Sequence, residues 1–128
     1  MGFDWGAAIA LKMGIVYPKM FTKVISIMPS YNEETEGELK KLTAPTLISW
    51  CRQDQMHNWT KWKTLAKKIP NRTESIYDLK PEQGHSFRGG GYHITIAMCK
   101  FLTGIDPVAG PKKVTKGTEE AVQSTGGK

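Results

Sequence analysis

The chain has 128 residues, of which 39% are hydrophobic and 23% charged, and its formal net charge is +6. This length suits one domain with one core, and the hydrophobic content excludes a largely disordered chain. No apolar run reaches the roughly 18 residues that a membrane helix needs, so we predict no membrane span. The first residues do not follow the pattern of a secretory signal, and we expect an intracellular protein. The positive charge permits acidic partners, nucleic acid included, without selecting one.

Hydrophobic patterning predicts helices that alternate with short buried strands. In chain order, we predict a helix at 7–17, a strand at 24–28, a solvated turn rich in glutamate, and a short helix at 39–42. A strand at 46–50, a helix at 60–69, a strand at 74–79 and a helix at 92–102 ended by Gly104 complete the series. This order predicts an α/β domain at 1–104 with three parallel strands flanked by helices. Residues 105–128 are rich in Gly, Lys, Thr and Ser, and we expect a flexible or partner-bound basic tail.

A short glycine-flanked motif, Gly2-Phe3-Asp4-Trp5-Gly6, comes just before the first predicted helix. A Gly-x-Asp-x-Gly pattern in this position has the shape of a nucleophile elbow, a tight turn that presents a reactive side chain at a helix N-terminus. The N-terminus of a helix favours negative charge, which suits an attacking carboxylate or a developing oxyanion. A turn that only caps the helix has the same pattern, so both interpretations remain open.

Two further polar residues follow predicted strands. Asp54 comes four residues after the strand at 46–50, and His85 follows the strand at 74–79. Sites on parallel sheets collect beyond the carboxyl ends of the strands, where Asp4, Asp54 and His85 are all expected. A nucleophile, then an acid, then a histidine is the chain order of α/β-hydrolases.

On these motifs, residues 1–104 resemble the C-terminal half of an α/β-hydrolase. The pair Asp4-Trp5 resembles the elbow of epoxide hydrolases and haloalkane dehalogenases, which carry Asp rather than Ser there. Residues 44–54 resemble the strand and acid loop of the family, and residues 84–86 resemble its histidine loop. The resemblance implies a partial α/β-hydrolase fold whose N-terminal strands are missing. It implies Asp4, Asp54 and His85 as catalytic residues, with no metal and no cofactor.

The resemblance also implies a reaction. Asp4 would attack an sp³ carbon of an epoxide or alkyl halide, and His85, oriented by Asp54, would activate the water that hydrolyses the resulting ester. The backbone N–H of Trp5 would stabilise the oxyanion, and its indole N–H would face a leaving halide. Only residues 29–45 separate the first two predicted strands, which is too short for the helical cap of these subfamilies. We therefore predict a capless hydrolase domain.

Two functions follow, and they belong to different classes. The first is a non-catalytic interaction or structural subunit of a larger assembly. The second is an active hydrolase of epoxides, alkyl halides or esters, with the missing half upstream or on another chain. The missing strands favour the first, because an uncovered sheet edge is prone to aggregation. We expect a protein partner or a second copy of the chain to lie against Met1 and the strand at 24–28.

Other candidate residues have ordinary structural explanations. His57 and His93 lack metal-ligand spacing, and we expect them to face solvent or to pack. Residues 59–63 interleave tryptophan and lysine, as a nucleic-acid face does, but one amphipathic helix explains them. Cys51 and Cys99 lie in apolar runs and are expected to be reduced thiols.

Overall fold

The computed structural model describes residues 1–30 and 33–109. Within these residues, four strands alternate with four α-helices. They are β1 (Gly2–Phe3), α1 (Trp5–Val16), β2 (Val24–Ile27), α2 (Glu33–Glu38), β3 (Thr46–Cys51), α3 (Trp59–Ala66), β4 (Arg72–Tyr77) and α4 (Gly91–Thr103). Short 3₁₀ turns occupy Leu39–Lys41 and Pro81–Gln83. None of the helices in these residues has the length and apolar character to cross a bilayer.

The strands form one parallel sheet in the order β1-β2-β3-β4. The α/β class and the parallel sheet are confirmed, and each predicted strand lies within two residues of an observed one. The number of strands differs from the prediction, because β1 adds a fourth. A strand of two residues cannot show the alternation on which a strand prediction depends.

Both faces of the sheet are buried. Ile48 and Trp50 of β3 pack on the side of α1 and α3, where they join Leu65 in one core. Their neighbour Leu47 packs on the other side, in a second core that includes Ile94 of α4. Side chains alternate between the faces of a strand, so a strand covered on both sides is apolar throughout. All six residues of β3 are buried for this reason.

The glutamate-rich segment is a helix rather than the predicted solvated turn. Two of its acids are held from outside α2: Lys12 of α1 pairs with Glu38, and Lys68 Nζ lies 3.1 Å from Glu36 Oε1. Acidic side chains also occupy the first turn, where they complement the helix dipole. The ion-pair partners are distant in sequence, so the local charge pattern did not reveal the helix.

Helix α4 ends at Gly104, as predicted, with a left-handed φ of 72°. Beyond it, Lys100 Nζ lies 2.7 Å from Asp106 Oδ2, which ties the following turn to the helix. Most of the predicted tail, residues 110–128, lies outside the described residues.

Candidate active site

Asp4 occupies the connection between β1 and α1. Its backbone adopts φ 53° and ψ −114°, a conformation that side-chain-bearing residues rarely take. The Asp4 N–H donates to the carbonyl of Ile27 at 3.0 Å, and the Asp4 carbonyl accepts from the N–H of Ser30 at 3.2 Å. These bonds to the end of β2 hold a strained turn in place, as a nucleophile elbow requires.

Only one of the two glycines around Asp4 is needed for the tight turn. A Cβ atom at Gly2 would lie 1.9 Å from the carbonyl oxygen of Gly6, so any larger residue would push β1 and α1 apart. A Cβ atom at Gly6 would meet no atom within 4 Å. The close approach of strand and helix therefore depends on Gly2.

Asp54 lies in the loop after β3, and its side chain is fully buried. Its Oδ1 accepts the backbone N–H groups of Met56 at 2.9 Å and His57 at 3.0 Å. Its Oδ2 lies 2.9 Å from Nδ1 of His85. Three hydrogen bonds compensate the burial of this carboxylate and fix the loop around it.

The loop that carries His85 fits directly against the Asp54 loop. A Cβ atom at Gly84 would lie 1.9 Å from the carbonyl oxygen of Gln53 and 2.9 Å from the backbone nitrogen of Asp54. The Gln53 side chain also accepts the N–H of Leu79 at 2.9 Å, which joins the loop after β3 to the end of β4. Glycine at position 84 is what allows His85 to reach Asp54.

His85 joins the two carboxylates. Its Nε2 lies 3.4 Å from Asp4 Oδ2, while its Nδ1 faces Asp54. A histidine that donates from Nδ1 alone keeps a lone pair on Nε2, the nitrogen that lies nearer to Asp4. The Nε2 atom is buried and makes no aligned hydrogen bond within the described residues. The structure thus brings together Asp4, Asp54 and His85, the three residues proposed from the sequence.

A fourth residue, His57, completes the cluster. Its Nε2 lies 2.6 Å from Asp4 Oδ1, and its ring stands perpendicular to that of His85 at a centroid distance of 4.8 Å. His57 thus packs, which is one of the two roles expected for it, but its hydrogen bond to Asp4 was not predicted. In the sequence, His57 follows Asp54 by three residues in the same strand-end loop, and this position could have indicated that it belongs to the site. His93 does pack, since its ring stacks on Tyr77 at 4.9 Å.

The pKa of Asp4 lies below its ordinary value. Burial acts to raise this pKa, but the interactions of the carboxylate with the side chains of His57 and His85 outweigh that effect. Asp4 is therefore a carboxylate at neutral pH, which is the form that a nucleophile needs.

Trp5, the predicted oxyanion and leaving-group residue, begins α1. Its backbone N–H belongs to the first turn, where N–H groups have no partner within the helix. Its side chain is 75% exposed and lines a groove of about 240 Å³ between α1 and α2, together with Lys12 and Glu34. The role of the indole towards a leaving group stays a prediction.

A separate cavity of about 510 Å³ lies between β4 and α4. It is lined by Tyr77, His93 and Lys100 among others, and by none of the carboxylates or histidines of the cluster. The cluster itself opens to solvent, with 29% of the Asp4 side chain exposed.

One group of residues in the described ranges has the composition of a metal site. Asp4, His57 and His85 each offer one ligand atom, and these atoms lie within 4.8 Å of one another. The same three side chains are therefore available either for proton transfer and nucleophilic attack or for metal binding.

The chain is similar in structure to a predicted CIB-like hydrolase from Thermoplasma acidophilum, with a TM-score of 0.67 and 20% sequence identity. The match covers 80% of this chain and 49% of that protein, so the chain spans about half the length of this relative. A likeness at this identity concerns the fold, and it shows a partial α/β-hydrolase fold, as the sequence motifs predicted. No protein-family model and no curated protein matches the chain.

Proposed function

We propose that this α/β-hydrolase-derived chain carries a hydrolytic site that works through an ester on Asp4. The observation that supports it is the position of His85, which lies 2.9 Å from Asp54 on one side and 3.4 Å from Asp4 on the other. This is the order of contacts that a nucleophile, its histidine base and the orienting acid need. Epoxides and alkyl halides are the proposed substrates, and esters are a further candidate.

In the first step, a carboxylate oxygen of Asp4 attacks an sp³ carbon of the substrate. A bond forms between this oxygen and the carbon, and the bond from carbon to halide or to the epoxide oxygen breaks. A halide leaves as the anion, whereas an epoxide oxygen takes a proton from water or from Nε2 of His57. The low pKa of Asp4 supports this step, because the attacking group is already ionised.

In the second step, Nε2 of His85 takes a proton from water, and the resulting hydroxide attacks the carbonyl carbon of the ester. The Asp54 carboxylate stabilises the imidazolium through Nδ1. The backbone N–H of Trp5 stabilises the oxyanion of the tetrahedral intermediate. Collapse of this intermediate expels the alkoxide, which takes the proton from His85 and leaves as the alcohol. Asp4 is then a carboxylic acid, and its proton passes to solvent, or back to His57 where that residue protonated the epoxide oxygen, which restores the carboxylate.

A single turnover in ¹⁸O-labelled water tests this mechanism. With protein in excess over a small epoxide or alkyl halide, the label should appear in the Asp4 carboxyl group, because hydroxide attacks the ester carbonyl. The peptide that contains Asp106, a partly exposed carboxylate paired with Lys100, is the internal control and should stay unlabelled. The variant His85→Gln should accumulate the alkyl ester, seen as an adduct in the intact mass. Product formation without label on Asp4 would contradict the proposal, as would the absence of both product and adduct.

A role as an interaction subunit is the second candidate, and the surface beside β1 favours it. β1 lies at one end of the sheet, and the neighbouring side chains Met1 and Ile9 are 70% and 60% exposed. With Met13 and Phe21 they line an apolar groove of about 200 Å³. We propose that a second copy of the chain covers this surface inside the cell, because β1 pairs only with β2 within the described residues and apolar side chains lie beside it.

Light scattering coupled to size-exclusion chromatography tests the second candidate. The chain should elute as a dimer at micromolar concentration, and Ile9→Lys should shift it to the monomer. Ile105→Lys is the matched control, because Ile105 is 65% exposed but is not among the residues that line the groove. A wild-type monomer, or equal effects of the two variants, would contradict the proposal.

A further inference from the structure

Asp4, His57 and His85 form a three-point cluster whose spacing suits a small cation. The Oδ2 atom of Asp4 lies 3.4 Å from Nε2 of His85, and the Oδ1 atom lies 2.6 Å from Nε2 of His57. Ligand atoms around a tetrahedral zinc ion, with bonds of about 2.0–2.1 Å, lie about 3.3 Å apart. The first pair already has this separation. The second distance joins His57 to the other oxygen of Asp4, and one ligand atom from each of the three residues lies within 4.8 Å of the other two. An ion bound through a single oxygen of Asp4 therefore requires the side chains to adjust by up to about 1.5 Å.

One ring nitrogen of His85, Nε2, is available to bind a cation. Its Nδ1 donates to Asp54, so its Nε2 carries a lone pair that faces an oxygen of Asp4. Both atoms are acceptors, and Nε2 has no aligned hydrogen bond although it is buried. A metal ion between them would satisfy both lone pairs. A histidine that ligates a metal with one nitrogen and donates to a carboxylate with the other is a common arrangement in metalloproteins.

Charge also favours a cation. The cluster contains two carboxylates, and that of Asp54 is fully buried. Two imidazole nitrogens and one carboxylate oxygen form a donor set that zinc accepts, with a fourth position left for water. His57 belongs to a loop rather than to a helix or strand, so its position can change without breaking a regular element.

We propose that Asp4, His57 and His85 bind one zinc ion, with Asp54 as the outer carboxylate that orients His85. Binding of this ion does not depend on the proposed hydrolytic function. It does have a consequence for that function, because the ion occupies both the attacking oxygen of Asp4 and the basic nitrogen of His85. Zinc-bound chain therefore cannot form or hydrolyse the Asp4 ester.

Calorimetric titration of the metal-free chain with zinc chloride tests the inference. We expect one ion per chain and a loss of affinity of at least about 100-fold in His57→Ala, beyond the 10- to 100-fold typical of outer-shell partners. His93→Ala is the matched control, because His93 stacks on Tyr77 outside the cluster. The zinc affinity of this variant should equal that of the wild type. Circular dichroism of each variant checks that it is folded.

Cobalt(II) in place of zinc gives a second readout on the unmodified chain, which remains usable if His57→Ala does not fold. The visible spectrum should show a tetrahedral site of nitrogen and oxygen ligands without a thiolate charge-transfer band. Absence of stoichiometric binding, equal affinity in His57→Ala, or a thiolate band would each overturn the inference. The ¹⁸O experiment is run with a chelator present, so its failure is distinguishable from a failure to bind metal.

Discussion

Asp54 divides its two carboxylate oxygens between the two histidines of the site. Oδ2 faces Nδ1 of His85 at 2.9 Å, and Oδ1 accepts the backbone N–H of His57 at 3.0 Å. A single buried side chain therefore sets the tautomer of one histidine and the backbone position of the other.

The variant Asp54→Asn should change the tautomer of His85. The backbone N–H groups of Met56 and His57 will keep the amide oxygen at the Oδ1 position, so the NH₂ group will face His85 Nδ1. Nδ1 must then accept, and the ring proton moves to Nε2, where it can no longer act as a base. Nitrogen NMR of the histidine rings should show this exchange.

The same substitution should lower the free energy of unfolding by about 1–3 kcal/mol, since it weakens a buried hydrogen-bond network. Asp78→Asn is the control, because Asp78 is 57% exposed and pairs with Arg52 at the surface, where about 0–1 kcal/mol is expected. An unchanged His85 tautomer in Asp54→Asn would contradict the assigned role of Asp54.

Gly84→Ala should separate the two loops that form the site. The added methyl would lie 1.9 Å from the carbonyl oxygen of Gln53, and backbone on both sides must move to make room. We expect the free energy of unfolding, measured by urea denaturation, to fall by about 1–3 kcal/mol, which is the usual cost of overpacking. Gly91→Ala should be neutral or slightly stabilising, because no atom lies within 4 Å of its Cβ position and alanine favours the helix. Equal stabilities of the two variants would contradict this packing argument.

Asp4→Gly should be more stable than Asp4→Ala by about 1 kcal/mol. Both variants lose the carboxylate, but only glycine adopts φ 53° without strain. Within a helix we would expect the opposite order of stability, because alanine has a higher helix propensity than glycine. Paired chemical denaturation of the two variants measures the strain at the elbow, and a more stable alanine variant would show that the turn is relaxed.

Cys51 should react much more slowly with iodoacetamide than Cys99. Cys51 is fully buried, and burial raises the pKa of its thiol above the ordinary value of 9.0, whereas Cys99 is partly exposed. A raised pKa means less thiolate at a given pH, so labelling of Cys51 should increase steadily as the pH rises through the range up to about 9. Peptide mass spectrometry measures both sites, and denatured protein, in which they should react alike, is the control. Equal rates in folded protein would contradict the burial of Cys51.

The sequence predicted the site better than the details of the fold around it. Asp4, Asp54 and His85 could be found because parallel strands place their carboxyl ends at one edge, so chain order alone brings them together. His57 was missed because its partner Asp4 lies 53 residues away, and only the turn around Asp54 directs it there. A contact between residues so far apart in the chain cannot be predicted from a local sequence pattern.

The errors in the secondary structure have similar causes. β1 is too short for a periodic pattern, and it exists because Gly2 and Phe3 pair with Ser26 and Ile27 of β2. Helix α2 has a sequence typical of a solvated turn, and lysines from α1 and the end of α3 pair with its acids. In both cases tertiary contacts decided the local structure.

The two ends of the sheet differ, and this difference limits how copies of the chain could assemble. The outer strand β4 carries Arg72 and Glu74, which pair with each other at 2.7 Å and give that edge a charged, hydrated border. β1 consists of Gly2 and Phe3 and has no charged side chain. If copies of the chain associate through the sheet, we expect them to meet β1 to β1 about a two-fold axis, with the charged β4 strands on the outside. A pairing of this kind is closed, so it favours a dimer over an extended fibre.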